Sequence, residues 1–331
     1  MHPIRLIPDS NFIFSKKQCP IFRKVRGYHL NFSSQEELDF PLAFSILTYQ
    51  DAEQFERFLK SIYRSQNIYC VHVDKKSSSK FKAAIESITD CFDNVFIASK
   101  LEYVVYAGFS RLKADLNCIQ DLIERSNDWK YFLNTASTEF PLRTNLELVQ
   151  IIKLLNGSNL ISVYELKKMI EFRYKFIYRE NLNFFRVEKG KFLENNSPPH
   201  GIRLGKGSAY NIMERGFLEN IFTNKKIVDF VEWLKKTFSP DELVKQQLIR
   251  TIIWKSSKYK CQGFYRHAIC IYSVGDLAFL NKRKNLFANK FLISYDPISY
   301  QCMEERLNKR SLINQDQNIS DKNYFLSYFK L

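Results

Sequence analysis

Residues 68–74 read Ile-Tyr-Cys-Val-His-Val-Asp, a short apolar run that ends on a carboxylate. A run of this length that is rich in β-branched residues predicts a buried strand. A second apolar run, Leu42–Leu47, precedes it, and apolar residues at helical spacing lie between the two. Asp51 stands where it can cap that helix. Two strands joined by a helix predict a βαβ unit with parallel strands.

The same alternation of strands and helices continues along the first half of the chain. Further strands are predicted at Val95–Ala98, Tyr131–Leu133 and Leu160–Val163, and helices at Lys80–Ile88, Phe109–Ile123 and Leu146–Leu155. In the less regular second half we expect helices at Ile227–Lys236 and Asp241–Trp254, and a strand at Arg266–Ser273. The pattern predicts an α/β fold with a mostly parallel sheet, which binds ligands beyond the carboxyl ends of its strands. Thr48, Tyr49 and Asp74 stand at such ends.

Composition narrows the class of protein. Of the 331 residues, 45% are apolar and 26% are charged, so the chain can bury a large core and is not disordered. The formal net charge of +15 favours an anionic partner: nucleic acid, an acidic membrane or a phosphorylated small molecule. No nucleic-acid-binding signature accompanies the charge, so we expect no nucleic-acid partner. The sequence has neither a long apolar run that would span a membrane nor a signal-peptide core.

The seven cysteines and four glycosylation sequons leave the compartment open. The cysteines fit either buried thiols of a cytosolic protein or three disulfides with one cysteine left over. Cys261 and Cys270 have a spacing suited to a hairpin disulfide. The Asn-x-Ser sequons, each a weak signal alone, begin at Asn31, Asn156, Asn195 and Asn318.

Candidate chemical groups each have a structural and a functional interpretation. The chain contains no Asp-x-Asp, no Gly-x-Gly-x-x-Gly and no P-loop, so a phosphate site would need cations and backbone amides. Ser239 and Glu242 fit a capping box around Pro240, although a carboxylate at a helix start is also suited to act as a general base. Asp74 is typical of a turn after a strand, and Lys290 of a solvated or snorkelling lysine.

Several segments together resemble one family and follow its order. They are Ile68–Asp74, Cys91–Phe96, Leu101–Tyr106, Lys113–Cys118, Gly207–Tyr210, Ser239–Glu242, Gly275–Leu277 and Leu286–Lys290. They resemble the core 2/I-branching β-1,6-N-acetylglucosaminyltransferase family, over residues 19–305. The resemblance implies a GT-A-type α/β glycosyltransferase fold, with an N-terminal segment at 1–40, a catalytic domain at 41–305 and a tail at 306–331.

The resemblance also implies an activity and a location. The expected reaction is an inverting transfer of N-acetylglucosamine from UDP-GlcNAc to the 6-hydroxyl of an acceptor glycan, without a divalent metal or other cofactor. The expected location is the Golgi lumen, as a type II membrane protein whose anchor this sequence does not contain. We therefore expect a truncated or alternatively started chain, in which Cys302 matches a family cysteine whose partner lies further upstream.

Site residues follow from the resemblance position by position. Glu242 matches the catalytic base, and Lys290 matches a residue that contacts the donor diphosphate. The matched donor-site residues are Leu47, Thr48, Tyr49, Asp74, Lys75, Lys76 and Tyr106, with Arg266 and His267 at the leaving group. Arg173 and Lys258 are the expected acceptor contacts. The implied disulfides are Cys19–Cys91, Cys70–Cys118 and Cys261–Cys270.

The sequence departs from the family pattern at a few positions. His267 occupies the place of the family's second diphosphate-binding arginine, and Arg266 precedes it. Only Lys260 stands where relatives have a long acceptor loop, and two further acceptor positions are Ser162 and Ile170. Either the acceptor therefore differs, or the chain is a non-catalytic relative that binds donor or glycan. A peptide O-xylosyltransferase is a further alternative.

Overall fold

The computed structural model describes residues 6–30, 33–160, 164–165, 171–195, 197–206, 209–242, 249–313 and 321–329. Its helices are α1 (Cys19–Arg26), α2 (Gln35–Leu38), α3 (Ala52–Ile62), α4 (Ser79–Thr89), α5 (Phe109–Arg125), α6 (Asn145–Lys153), α7 (Phe172–Lys175), α8 (Arg215–Thr223), α9 (Lys225–Leu234), α10 (Leu277–Asn281), α11 (Pro297–Ile313) and α12 (Lys322–Phe329). Its strands are β1 (Leu42–Thr48), β2 (Ile68–Val73), β3 (Val95–Ile97), β4 (Tyr131–Ala136), β5 (Glu139–Pro141), β6 (Tyr164–Glu165), β7 (Phe176–Asn181), β8 (Arg186–Glu194), β9 (Gly205–Lys206), β10 (Ile212–Glu214), β11 (Arg250–Thr251), β12 (Phe264–Arg266), β13 (Ile269–Ile271) and β14 (Phe287–Asn289). The strand predicted at Leu160–Val163 lies, beyond its first residue, outside the described ranges.

The central sheet has the strand order β10-β4-β1-β2-β3. β1 runs parallel to both β2 and β4, β2 runs parallel to β3, and β10 is antiparallel to β4. The register places Leu47 beside His72 on one side and beside Ala136 on the other. The carboxyl ends of the three inner strands therefore meet at one edge, which confirms the predicted α/β fold with a mostly parallel sheet.

Helices pack on both faces of this sheet, and the side chains of β2 point alternately to one face and to the other. Tyr69 and Val71 belong to the core cluster that includes residues of α3 and α4. Cys70 points to the other face, where Cys118 and Leu122 of α5 pack. A buried parallel strand is apolar on both faces, which explains the continuous apolar run in the sequence. Asp51 accepts a hydrogen bond from the Gln54 amide (3.0 Å), so the predicted cap of α3 is confirmed.

A small second sheet, β11-β14-β5, lies beside the central one. It contradicts the end of the helix predicted at Asp241–Trp254, of which residues 243–248 lie outside the described ranges. The structure forms a single 3₁₀ turn at Pro240–Glu242, and Arg250–Thr251 is strand β11, paired in parallel with β14. The run Ile249–Ile253 is rich in β-branched residues, which favour extended backbone, and pairing with β14 overrides the helical spacing.

The strand predicted at Arg266–Ser273 is also wrong in its first part. Arg266 ends β12, and β13 begins at Ile269, with Arg266 paired to Ile269. His267 and Ala268 form the two-residue turn between them, with φ of 49° and 64°. Two successive positive φ values are typical of a type I′ hairpin turn, which usually carries Asn or Gly. The sequence therefore lacks the residues that signal this turn.

The terminal segments pack on the central α/β unit. The first forty residues, expected to be irregular, include α1 and α2. The Ala52 amide donates to Asp9 Oδ1 (2.8 Å), which ties the N-terminal segment to the start of α3. At the other end, the expected boundary at residue 306 falls inside α11, and Phe325 of α12 is fully buried. No helix within the described ranges is long and apolar enough to cross a membrane.

Candidate active site

Three disulfides cross-link the described part of the chain. They are Cys19–Cys91, Cys70–Cys118 and Cys261–Cys270, the three pairs that the resemblance implies. Cys70–Cys118 joins β2 to α5, and Cys261–Cys270 closes the hairpin of β12 and β13. Asp276 lies beside the last pair, but the bonded sulfurs do not act as metal ligands. Cys302 is exposed in α11 and forms no disulfide with any described residue.

The ends of β1 and β2 bring two predicted donor segments together. The Asp74 amide donates to the Thr48 carbonyl (2.9 Å), and the Ser77 hydroxyl donates to the Tyr49 carbonyl (2.8 Å). From the β4 side, the Ser137 amide donates to the Leu47 carbonyl (3.0 Å). The structure therefore gathers Leu47–Tyr49 and Asp74–Lys76 at one place.

Asp74 organises the loop that follows β3. Its Oδ1 accepts from the amides of Lys76 (3.0 Å) and Val104 (3.4 Å), and its Oδ2 lies 3.1 Å from Lys76 Nζ. The Lys75 amide donates to the Glu102 carbonyl (2.9 Å). The turn interpretation of Asp74 thus holds, and its carboxylate fixes residues 101–106 against the end of β2.

Tyr106 lies at the end of that loop and is 72% exposed. Its ring stacks on His267, with ring centroids 5.3 Å apart and planes 22° from parallel. The carbonyl of Ala107 accepts from the Ser239 amide (2.8 Å). This bond places the Pro240–Glu242 turn beside the loop and the start of α5. The loop, the hairpin turn and the segment of the predicted base therefore form one cluster.

Arg173 lies against the same cluster. Its carbonyl accepts from the Phe238 amide (2.8 Å), and its guanidinium carbon lies 6.0 Å from the Phe238 ring centroid. Lys258 is exposed in the surface loop beside the hairpin, where the Lys255 amide donates to the Ala268 carbonyl (2.8 Å). Ser162 and Ile170 lie outside the described residues.

Lys290 is half-buried directly after β14, which fits a snorkelling lysine better than a fully solvated one. Its carbonyl accepts from the Tyr272 amide (2.9 Å). Burial lowers the pKa of Lys290, and the nearby charges of Arg266 and Arg111 lower it further, while Glu139 opposes them. Three cations thus lie close enough to perturb one another, and such a group gains stability from a bound anion.

A buried polar network beneath these cations was not predicted. Arg250 donates from Nε to Glu139 Oε2 (2.9 Å) and from Nη2 to the Asn134 carbonyl (2.8 Å). Arg111 pairs with Asp115 (2.6 Å), which also accepts from the Asn134 amide group (3.0 Å). Asp115 lies in one of the segments that carry the resemblance. Glu139, Asn134 and Arg250 gave no sequence signal, because Arg250 is 111 residues from Glu139 and 116 residues from Asn134.

Burial and neighbouring charges shift the pKa values of the ionisable groups in this network. Burial raises the pKa of Glu139, and Arg250 opposes that shift. Burial alone would lower the pKa of Arg111, but Asp115 and Asp241 raise it. Asp241 belongs to the same 3₁₀ turn as the predicted base, Glu242, so Arg111 links the network electrostatically to that turn.

A mostly parallel α/β sheet with cations at its carboxyl edge suits a phosphorylated ligand. The comparison with known proteins gives the class, because the matching family and the relatives are glycosyltransferases. The model described as "Branch: Core-2/I-Branching enzyme" matches residues 42–276. The chain belongs to the core-2/I-branching enzyme family.

Three relatives illustrate the similarity. Human beta-1,3-galactosyl-O-glycosyl-glycoprotein beta-1,6-N-acetylglucosaminyltransferase 3 is 37% identical over 340 residues, which cover 92% of this chain and 76% of the relative. The mouse N-acetyllactosaminide beta-1,6-N-acetylglucosaminyl-transferase is 38% identical over 339 residues, which cover 95% and 84%. A bovine herpesvirus 4 beta-1,6-N-acetylglucosaminyltransferase is 37% identical over 339 residues, which cover 92% and 76%.

Proposed function

We propose that this chain catalyses an inverting, metal-independent transfer of N-acetylglucosamine from UDP-GlcNAc to the 6-hydroxyl of an acceptor glycan, the branching step of O-glycans. One observation carries the proposal: Tyr106, His267 and the Pro240–Glu242 turn meet at the carboxyl edge of the sheet. The names of the relatives support it, since they describe β-1,6-N-acetylglucosaminyl transfer.

In this proposal the donor binds across the ends of β1 and β2. Leu47–Tyr49 and Asp74–Lys76 line the nucleotide and sugar, and the exposed ring of Tyr106 offers a stacking surface. Lys290, Arg266 and His267 face the diphosphate. A bound diphosphate would raise the pKa of Lys290 again, because nearby negative charge favours the ammonium form.

The reaction needs one base and one stabiliser of the leaving group. Glu242 takes the proton from the acceptor hydroxyl as its oxygen bonds to the anomeric carbon. The bond from that carbon to the β-phosphate oxygen breaks on the opposite face, and its electron pair leaves with UDP. The configuration therefore inverts in a single displacement. Fixed cations at Lys290 and Arg266 stabilise the charge that develops on the diphosphate.

The chemistry of the donor site supports metal independence. A divalent metal that acted as a Lewis acid would need free carboxylate oxygens near the diphosphate as ligands, and the sequence contains no Asp-x-Asp. The carboxylate at the end of β2, Asp74, is engaged by two amides and by Lys76 Nζ. Its oxygens are therefore occupied in holding the loop. In this proposal, cationic side chains bind the diphosphate in place of a metal ion.

The acceptor side and the location complete the proposal. Arg173 lies next to Phe238, which precedes Asp241 by three residues, and is proposed as an acceptor contact together with exposed Lys258. The acceptor differs from that of the relatives because Lys260 stands in place of their long loop. Three disulfides fit an oxidising compartment, and the proposed location is the Golgi lumen.

The test is UDP release from UDP-GlcNAc and from UDP-xylose in EDTA, against a panel of glycan and peptide acceptors. We expect turnover with UDP-GlcNAc and a glycan, and its loss in Glu242→Gln with donor binding retained. Turnover only with UDP-xylose would establish the peptide O-xylosyltransferase alternative. Donor or glycan binding without turnover, unchanged in Glu242→Gln, would establish a non-catalytic binding protein.

A further inference from the structure

His72 is a buried polar residue of β2 to which the proposed reaction assigns no role. It is 1% exposed and lies beside Leu47 in the sheet register. Its Nε2 accepts a hydrogen bond from the Glu102 amide (2.9 Å). Its buried Nδ1 has no hydrogen-bond partner among the described residues. A buried histidine with one specific bond therefore stands directly behind the candidate donor site.

That bond is one of the anchors of the loop that presents Tyr106. The Glu102 carbonyl accepts from the Lys75 amide (2.9 Å), and the Val104 amide donates to Asp74 Oδ1 (3.4 Å). Further along, the Val105 amide donates to the Ser110 hydroxyl (2.8 Å). His72 holds the first residues of the loop from the sheet side, and it is the anchor whose side chain is an imidazole, which can gain a proton as the pH falls.

The bond requires a neutral imidazole. Nε2 accepts only when it carries no proton, so the ring proton resides on Nδ1. In a protonated ring Nε2 carries a hydrogen of its own, so two N–H donors would face each other. The hydrogen bond to the Glu102 amide would then be lost. Charged groups face the ring from three elements: Asp115 and Arg111 of α5, Asp74 after β2, and Glu102 in the loop. Burial lowers the pKa of His72, against the pull of the carboxylates.

We propose that His72 is a positioning residue of the donor site: its neutral ring holds residues 101–106 so that Tyr106 meets the donor, and its protonation releases that loop. The proposal rests on the proposed function, because it takes Tyr106 as a donor contact. His72 touches neither donor nor acceptor. Its loss is therefore expected to change donor affinity and to leave kcat at saturating donor nearly unchanged.

The experiment compares the wild-type chain with His72→Gln and His72→Leu. Binding of UDP-GlcNAc is measured by calorimetry from about pH 5 to 7.5, together with KM and kcat. Both phosphates of this donor are esterified, so the ligand itself does not titrate in that range. Gln places an acceptor near the Nε2 position and carries no titrating group, whereas Leu fills the space without an acceptor.

We expect wild-type affinity to fall about tenfold at the acid end, as the neutral ring is lost. The ratio of His72→Gln affinity to wild-type affinity should rise by the same factor toward the acid end, because Gln carries no titrating group. His72→Leu should bind about fivefold more weakly at neutral pH, the size of one lost hydrogen bond. Groups common to all three proteins cancel in the comparison.

The outcomes separate this inference from the proposed function. If the wild type binds no UDP-GlcNAc at any pH, the proposed donor site is wrong. If it binds and His72→Gln keeps the wild-type pH profile, His72 is not the titrating anchor and the inference is overturned. Should His72→Leu fail to fold, the comparison of His72→Gln with the wild type still decides the question.

Discussion

The ion pair between Glu139 and Arg250 is expected to dominate the stability of the second sheet. The two side chains are 0% and 2% exposed, and Arg250 Nε lies 2.9 Å from Glu139 Oε2. Glu139 is in β5 opposite Asn289 of β14, next to Lys290, so the pair also supports the cation proposed to bind diphosphate. The perturbation is Glu139→Leu, which removes the acceptor and leaves the buried guanidinium.

The expected magnitude follows from burial. Loss of a hydrogen bond to a charged partner costs about 1.5–3 kcal/mol. A buried charge left without its partner brings the total to about 3–5 kcal/mol. The remaining bonds from Arg250 to the Asn134 and Ile249 carbonyls do not replace the lost countercharge, because those carbonyls are neutral. We therefore expect Glu139→Leu to lower the free energy of unfolding by about 3–5 kcal/mol.

The assay is denaturation in urea with the disulfides intact, followed by circular dichroism. The matched control is the double variant Glu139→Leu with Arg250→Met, which removes both charges and should recover most of the loss. A second control, Glu232→Gln, breaks the exposed pair with Lys235 and should change stability by less than about 1 kcal/mol. A single variant as stable as the double variant would refute the reasoning.

Three further predictions concern the site, the disulfides and the surface. Lys290→Met should lower kcat about 100-fold or more with little change in folding. In the wild type, activity should fall as the pH rises and Lys290 loses its proton, whereas Lys290→Arg stays charged and should not show this loss. Measurements of rate against pH test both predictions. Replacing the pair Cys19–Cys91 by serines should lower the free energy of unfolding by about 4 kcal/mol, and replacing Cys261–Cys270 should lower it by about 3 kcal/mol. The first loss is larger because Cys19–Cys91 closes a loop of 72 residues and Cys261–Cys270 one of 9; denaturation measures both. In a secreted form Asn156, which is exposed, should carry an N-glycan, whereas Asn195, whose amide nitrogen is buried, should not. Glycosidase treatment of the wild type and of the two Asn→Gln variants tests this. A glycan at Asn195 and none at Asn156 would show that burial does not decide which site is glycosylated.

Local patterns in the sequence were sufficient for the four parallel strands of the central sheet, although not for the antiparallel strand β10. Strand β2 has the bounds expected from its apolar run, and α4 and α5 differ from expectation by one or two residues at their ends. These elements bury a regular face, so the period of the apolar residues encodes them directly. The family resemblance added the three disulfide pairs, which spacing alone left open.

The errors fall where pairing between distant segments decides the backbone. Strand β11 is two residues long and forms because β14 offers a partner. The turn at His267 and Ala268 has positive φ without the usual Asn or Gly. In both places local preference is weak, and contacts made elsewhere in the fold set the conformation.

The sequence by itself determined the α/β class, the parallel strands and, through the resemblance, which residues to inspect at their carboxyl ends. Only the tertiary structure decided how those residues are charged and held. Glu139 and Arg250 are 111 residues apart in the chain, and His72 reaches Glu102 across 30 residues. Burial and Coulomb interactions depend on distances in space, and no local pattern contains those distances.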